Sequence, residues 1–493
     1  MNRGRIIIGQ LATCLLTAVT LAGNAEDMAF KRDRYLVLDS RIIEKTENAQ
    51  LTVGVVQKDK HNPLFGEDKP WEKRFDNLYA NVIFDQEDQL YKCWYSPFIV
   101  DLSAKGMTLQ QRGQTGYRPP RGREMAICYA VSKDGITWEK PELGLVEFEG
   151  SQQNNILWRE PHGAGVFKDY HDPDPARRYK AFFQGVSVAF SADGMHWGKA
   201  IPCPEIKVAG DTHNNALWAP TLNKYVGITR TWGKQRGRQV ARTESADFLK
   251  WTPAAVVLEG IEKNLQVYAM PVFYRDGLYL GLAAIHDQKA DRVWTELTWS
   301  PDTIQWHRVS PGTPLIGNLS NEGDYDWGCA YAGAYPIFLH DEIRIYYGGS
   351  DGKHTSWRNG FFCLATLKPD HWAGYEPIGP NQPAIITTSE ISFAGQALRI
   401  TADVAPGGSV KVSVVDRNGK PISTAKPVTE TVTDGGLQWS QKMSSGPMPL
   451  RFEISGAKLY SFSFATAASA SVTPTASSSN TPTPTSRGSS SRD

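Results

Sequence analysis

Residues 132–138 read Ser-Lys-Asp-Gly-Ile-Thr-Trp, and the form Ser-x-Asp-x-x-x-Trp returns at Ser191/Asp193/Trp197, Ser245/Asp247/Trp251 and Ser300/Asp302/Trp306. The four serines stand 59, 54 and 55 residues apart, and a degenerate fifth copy, Thr366 with Asp370 and Trp372, follows Ser300 by 66 residues. A period of this length marks a propeller or a solenoid. The residue types speak to structure more than to chemistry. Ser and Asp side chains hold a turn by bonding to nearby backbone groups, and Trp fills the space between neighbouring units.

Working outward, each copy follows an apolar strand-like run, as in Ile127–Val131, Val186–Phe190 and Thr295–Trp299. Upstream of each run lies a hairpin with aromatic-rich arms that turns through Asp, Asn, Gly or Pro, residues that tolerate tight-turn dihedrals. The unit is therefore four strands, the Ser/Asp turn joining the third to the fourth. Five units over residues 26–377 predict an all-β fold, a five-bladed β-propeller, which leaves only short, protected strand edges. Beyond residue 378, period-two strands broken at Pro406-Gly407-Gly408 and Asn418-Gly419 predict a small antiparallel β-sandwich over 378–465.

Both termini read as separate from the fold. Residues 1–25 combine a basic start, an apolar run and small residues before Ala25, the pattern of a secretory signal peptide, so the protein is expected to be secreted or periplasmic. No other stretch reaches the roughly 18 apolar residues that span a bilayer. Residues 466–493 are almost wholly Ser, Thr, Ala and Pro and predict a disordered tail. The 53 Lys+Arg against 52 Asp+Glu argue against a nucleic-acid partner bound through a basic surface. Five cysteines follow the leader, too few for a disulfide scaffold; buried free thiols are expected, with a Cys93–Cys128 pair as the alternative. A monomer is expected.

In a propeller the residues just before each innermost strand line a central funnel. Blade one offers Asp76 there, blade three Asp211 with His213, blade four Tyr268, and blade five the acidic loop Glu322, Asp324, Asp326 with Trp327. Arg230 and His354 are further candidates for contacting hydroxyl or carboxylate groups. Trp94, Tyr95, Trp218, Trp232 and Trp357 supply aromatic faces, most of them expected to pack between blades.

Five blades with acids so placed resemble the glycosidase clan of arabinanases, β-xylosidases, invertases and levansucrases, and more closely still secreted bacterial propellers that carry a C-terminal sandwich. The resemblance implies a carbohydrate substrate, with Asp76 as base or nucleophile and Asp211 as the supporting acid. Where those families carry Glu-Gly-Pro, this chain has Ala269-Met270-Pro271, which leaves Glu322 or Asp326 to act as general acid. His213, Tyr268, Arg230, Trp327 and His354 are then expected at the substrate. Glycoside cleavage needs at least two carboxyls, one to protonate the leaving oxygen and one to supply water or attack. No cofactor is expected, and the loop holding Glu322, Asp324 and Asp326 is alternatively a structural calcium site. The rival function is a non-catalytic carbohydrate-binding or surface interaction propeller. A sialidase-like enzyme is disfavoured, because sialidases have six blades.

Overall fold

The computed structural model describes residues 32–102, 111, 122–393, 397–440 and 446–464; the expected signal peptide and Ser/Thr/Pro-rich tail lie outside them. Five antiparallel units form the blades of a propeller, blades four and five being joined by one parallel pairing, Val293 with Cys329. From the innermost strand outward, blade one is Asn81–Asp85, Leu90–Tyr95, Arg123–Ser132 and Ile156–Arg159. Blade two is Gly165–Lys168, Tyr179–Phe183, Ser187–Ser191 and Ile201–Pro202. Blade three is Asn215–Ala219, Lys224–Gly233, Gly237–Ser245 and Ala255–Leu258. In blade four the innermost strand is split by Met270-Pro271 into Leu265–Ala269 and Val272–Arg275, ahead of Leu278–Asp287, Arg292–Ser300 and His307–Arg308.

Blade five opens with Cys329–Ala332, then Ile343–Ser350 and Gly360–Leu367, and its outer strand comes from the other end of the chain. Gln57–Lys58 and Phe65–Gly66 pair with Gly360–Leu367, so the ring is closed by hydrogen bonds between distant segments. Closure of this kind removes a sheet edge that would otherwise be unpaired.

The repeated motif does what its residue types suggest. Ser132 Oγ donates to Asp134 Oδ1 (2.9 Å) and accepts from Gly135 N–H (2.8 Å), while Asp134 Oδ1 also accepts from the backbone of Ile136 and Thr137 at 2.8 and 2.7 Å. The same Asp bonds recur at Asp193, Asp247 and Asp302. Each Trp then docks its blade on the preceding one. Trp138 stands edge-on to Phe362 of blade five at 5.2 Å, Trp197 stacks with Trp158 of blade one at 6.4 Å, and Trp251 stacks on Phe182 of blade two at 5.4 Å. In the degenerate copy Trp372 keeps this role, 5.3 Å from Phe273 of blade four. Asp370 does not: it pairs with Arg34 and accepts from Ser461 Oγ at 2.7 Å, tying the propeller to the sandwich.

The domain boundary needs correction. Residues 34–53, expected in the propeller, form Arg34–Leu36, Ile43–Glu47 and Ala49–Val53, which pair with Leu450–Phe464, Ala384–Thr388 and Ala373–Pro377. The sandwich thus takes strands from both ends of the chain, around a core that includes Tyr35, Ile386, Ile400, Val412, Phe452 and Phe462. Sequence alternation could not show this, because a short strand such as Ile43-Glu-Lys-Thr-Glu47 carries no sign of its partner sheet. At the crossing between the two units a Cβ on Gly54 would lie 1.7 Å from the His371 carbonyl oxygen, an approach that only glycine permits.

All five cysteines in the described residues are buried and unpaired. Among those residues no helix is long and apolar enough to cross a membrane.

Candidate active site

The loops entering the inner strands of blades one, two and three open onto one cavity of about 550 Å³, completed by Arg238, Tyr268, His354 and Thr355 from blades three to five. Asp76 and Asp211 both line it, as the sequence suggests.

Asp76 sits in a strained loop. Asp76, Leu78 and Tyr79 adopt φ of 54°, 62° and 49°, left-handed values that cost an L-residue about 1–2 kcal/mol each. Surrounding bonds hold the loop there: Phe75 N–H donates to Glu67 Oε1 (2.7 Å), and Leu78 N–H to the Phe75 carbonyl (2.8 Å). Strain of this sort gathers where a side chain must be aimed. The aimed carboxylate accepts from Arg74 Nη2 (2.8 Å) and Arg358 Nη2 (3.0 Å), both on Oδ1. Burial alone would raise its pKa; the two guanidiniums outweigh that and hold it below the usual carboxylate value. Arg358 is itself fixed by Ser350 Oγ (3.1 Å) and Asn77 Oδ1 (2.9 Å), and Asn77 Nδ2 reaches Tyr79 Oη (2.7 Å) and Tyr268 Oη (3.2 Å).

Asp211 is half-exposed. Arg230 Nη2 donates to its Oδ2 at 2.6 Å, and His162 Nε2 lies 3.7 Å from Oδ1. The His162 contact, with Arg230 adding to it against partial burial, lowers its pKa to about 2. The segment between blades two and three is pinned by Gly163, at φ +57°, where a Cβ would fall 1.8 Å from the Thr212 carbonyl oxygen.

His213 does not line the cavity; it lies buried beneath it, its Nε2 3.0 Å from Asn81 Oδ1. Burial, and then the neighbouring His162, push its pKa down to about 3, so it is a neutral ring in the floor. Tyr268 does line the cavity, with the guanidinium carbons of Arg230 and Arg238 each 4.9 Å from its ring centroid. His354 also lines it; its Nδ1 is 2.8 Å from Tyr331 Oη, and its ring is 4.5 Å from that of His286. Burial, with Arg358 and His286 adding to it, holds His354 well below its ordinary pKa.

The expectation that Glu322 or Asp326 supplies the general acid is not met. Asp326 is wholly buried, bonded to Lys58 Nζ (2.6 Å), Tyr347 Oη (2.8 Å) and Leu319 N–H (2.9 Å), where it anchors the closing strand. Glu322 and Trp327 line a different groove, of about 420 Å³, and Arg292 covers the Trp327 ring at 4.8 Å. With Asp326 turned inward, the loop does not gather its acids for calcium; no cluster of three or more such ligands occurs among the described residues.

Sequence reasoning missed Arg74, Arg238, Arg358 and Glu160. Glu160 lines the cavity two residues before His162, at φ 86°, and its side chain makes no ion pair or hydrogen bond among the described residues. Glu124, the other carboxylate on the wall, is taken up by Arg159 at 2.5 and 2.6 Å. Glu160 could have been found by the rule that located Asp76 and Asp211, a charged residue just ahead of an innermost strand. The cavity therefore offers two carboxylates held ionised, one uncommitted carboxyl and several guanidinium donors.

No protein-family model matches the sequence, and no curated protein matches it. The fold aligns with several solved structures. An N-acetylgalactosamine deacetylase from F. plautii, bound to blood group B trisaccharide, shares 13% identity over 66% of this chain and 97% of its own, with a TM-score of 0.45. A structure from the mannoside phosphorylase family, described for glycoside hydrolases that target β-1,2-mannosidic linkages in Candida mannan, shares 14% over 64% and 95%, with a TM-score of 0.44. The α-L-arabinofuranosidase of Podospora anserina, bound to cellotriose, shares 13% over 64% and 98%, with a TM-score of 0.43. Likeness at this level concerns the path of the chain, and no residue role is carried across it.

Proposed function

We propose that this chain is an exported carbohydrate-active propeller that hydrolyses a glycosidic bond in its central cavity. The observation that carries the reading is the convergence of Asp76, Glu160 and Asp211, from the entries to three different blades, on one cavity. Asp76, held ionised by arginine, and Asp211, held so by His162 and Arg230, suit the base or nucleophile and the group that steadies positive charge on an oxocarbenium-like sugar. Neither can deliver a proton near neutral pH. Glu160, whose side chain makes no ion pair or hydrogen bond among the described residues, takes the role of proton donor to the leaving oxygen. The leader at residues 1–25 supports placement outside the cytoplasm.

The test uses leaving groups. An activated aryl glycoside departs without protonation, whereas a natural glycan does not. Glu160→Gln should lose about 100-fold or more on the glycan and little on the aryl glycoside, while Asp76→Asn loses both. Equal losses of Glu160→Gln on the two substrates would remove Glu160 from the proposed role. A second reading, a binding propeller without turnover, is favoured by one observation: Ala269 stands buried where the resembled families place their acid. Absence of hydrolysis across a broad glycan panel, with retained binding, would select it.

A further inference from the structure

On either side of Arg238, a residue of the cavity wall, aromatic and guanidinium groups alternate. Trp232 is 62% exposed, Arg238 lies 5.1 Å from its ring centroid and 4.9 Å from that of Tyr268, and Arg230 lies 4.9 Å from Tyr268 on the way to Asp211. Two guanidiniums over one ring repel each other, and the repulsion grows as water is excluded. Arg230 Nη1 and Arg238 Nε are, moreover, buried N–H groups with no acceptor among the described residues. Such donors cost free energy until an acceptor arrives.

The charges of the cavity and its lining point the same way. Arg74, Arg123 and Arg238 line the wall, with Arg230 and Arg358 bonded to the two aspartates from behind. Against these five cations stand Asp76, Asp211 and Glu160, since Glu124 is neutralised by Arg159. Five against three leaves two positive charges unmatched with Glu160 ionised, and three when it carries the proton it is proposed to donate.

We propose that the cavity recognises a glycan whose sugar bears an oxyanion, a carboxylate or a sulfate ester, held by Arg238 beside Tyr268 with the charge of Arg230 behind it, and with the adjoining sugar stacked on Trp232. The inference rests on the reading of the propeller as carbohydrate-active and narrows its substrate class. A guanidinium presents a planar fork that matches an oxyanion, and charge-assisted bonds of this type are the stronger ones. Hydroxyl groups of a neutral sugar would satisfy the orphaned donors but leave the surplus charges unmatched. Trp232 explains why the ladder reaches solvent, because an exposed aromatic face beside an arginine offers a sugar both a flat apolar surface and a charge.

The experiment is calorimetric titration of the full chain with four probes: trigalacturonate and its carboxyl-reduced neutral counterpart, and a sulfated galactan oligosaccharide and its desulfated counterpart. At about 50 mM salt at least one acidic probe should bind about tenfold or more tighter than its neutral partner, and the gap should shrink at about 500 mM. Arg238→Gln should erase most of that preference, and Arg238→Lys should keep part of it. Sodium sulfate serves as the fifth probe. Equal affinity for acidic and neutral partners overturns the inference and leaves the carbohydrate reading standing. Retention of the preference in the Arg230→Gln/Arg238→Gln double variant overturns the assignment to these arginines. Binding of sulfate without any oligosaccharide overturns the carbohydrate reading, and absence of all binding overturns both.

Discussion

Acidification from about pH 7 to about pH 5 should destabilise the propeller by about 2 kcal/mol through His213 alone. The ring is buried beneath the cavity, with a pKa pushed down to about 3 by burial and by His162. In the unfolded chain the same histidine titrates near about 6.5. Above that value both states are neutral and pH has no effect through this group. Below it the unfolded chain binds a proton that the folded protein refuses, so stability falls with pH until the folded value is reached. With about 1.4 kcal/mol per pKa unit, the interval from about pH 7 to about pH 5 yields about 2 kcal/mol. His354, also held neutral by burial and by Arg358, acts in the same direction. The assay is urea denaturation of wild type and His213→Gln at both pH values. Glutamine keeps a donor for Asn81 Oδ1, which now lies 3.0 Å from the imidazole Nε2, and removes the titration. The variant should lose about 2 kcal/mol less than wild type on acidification, whatever its stability at neutral pH. Equal losses in the two proteins would refute a neutral, proton-excluding His213.

Asp76→Ala should cost about 3–5 kcal/mol, since it leaves Arg74 and Arg358 buried without their shared carboxylate, whereas Asp76→Asn, which retains an oxygen where Oδ1 accepts both bonds, should cost less. Because the folded pKa of Asp76 is depressed, the wild-type advantage over Asp76→Asn should be complete above about pH 4 and shrink as pH falls further, readable in denaturation curves at neutral and acid pH. Asp326→Asn should cost about 3 kcal/mol and speed hydrogen exchange in residues 57–66, with no change in ligand affinity, because Asp326 anchors Lys58 in the closing strand and lies outside the cavity. Gly163→Ala should lower the melting temperature and weaken ligand binding together, as its methyl would meet the Thr212 carbonyl at 1.8 Å and displace Asp211; unchanged binding with normal folding would disprove the coupling.

Most of the propeller was legible because each blade must solve the same packing problem with local means. A turn closed by Ser132 and Asp134, followed by a Trp that reaches the previous blade, needs no distant partner to be recognised, and so it recurs in the sequence at blade spacing. What was not legible depends on partners far along the chain. The outer strand of blade five is built from Gln57–Lys58 and Phe65–Gly66, some 300 residues from its neighbour, and such short pieces carry no period of their own. Arg34–Leu36 and Ile43–Glu47 join the sandwich for the same reason. The degenerate fifth motif was the one hint of this arrangement. Its Asp370 left the turn-capping role because it is needed by Arg34 and Ser461, where the two ends of the chain meet.

The site divides along a similar line. Asp76 and Asp211 were found by position, as acids ahead of innermost strands, and the same rule applied more widely would have found Glu160. Position could not separate them from Asp326, also an acid ahead of an innermost strand, because the distinction lies in what each carboxylate faces: Lys58 and Tyr347 inside the blade for Asp326, the cavity for the others. The arginines were harder still. Arg74, Arg230, Arg238 and Arg358 come from different places in blade order and carry no common motif, yet they converge because two aspartates and one tyrosine ring hold them. An overall charge balance near zero concealed the local excess, since 53 cations and 52 anions averaged over the chain say nothing about five against three around one cavity. That local excess, rather than the acids alone, bears on which ligands the cavity admits. A pair of carboxylates suits the cleavage of many sugars, and the unmatched guanidiniums narrow the choice among them.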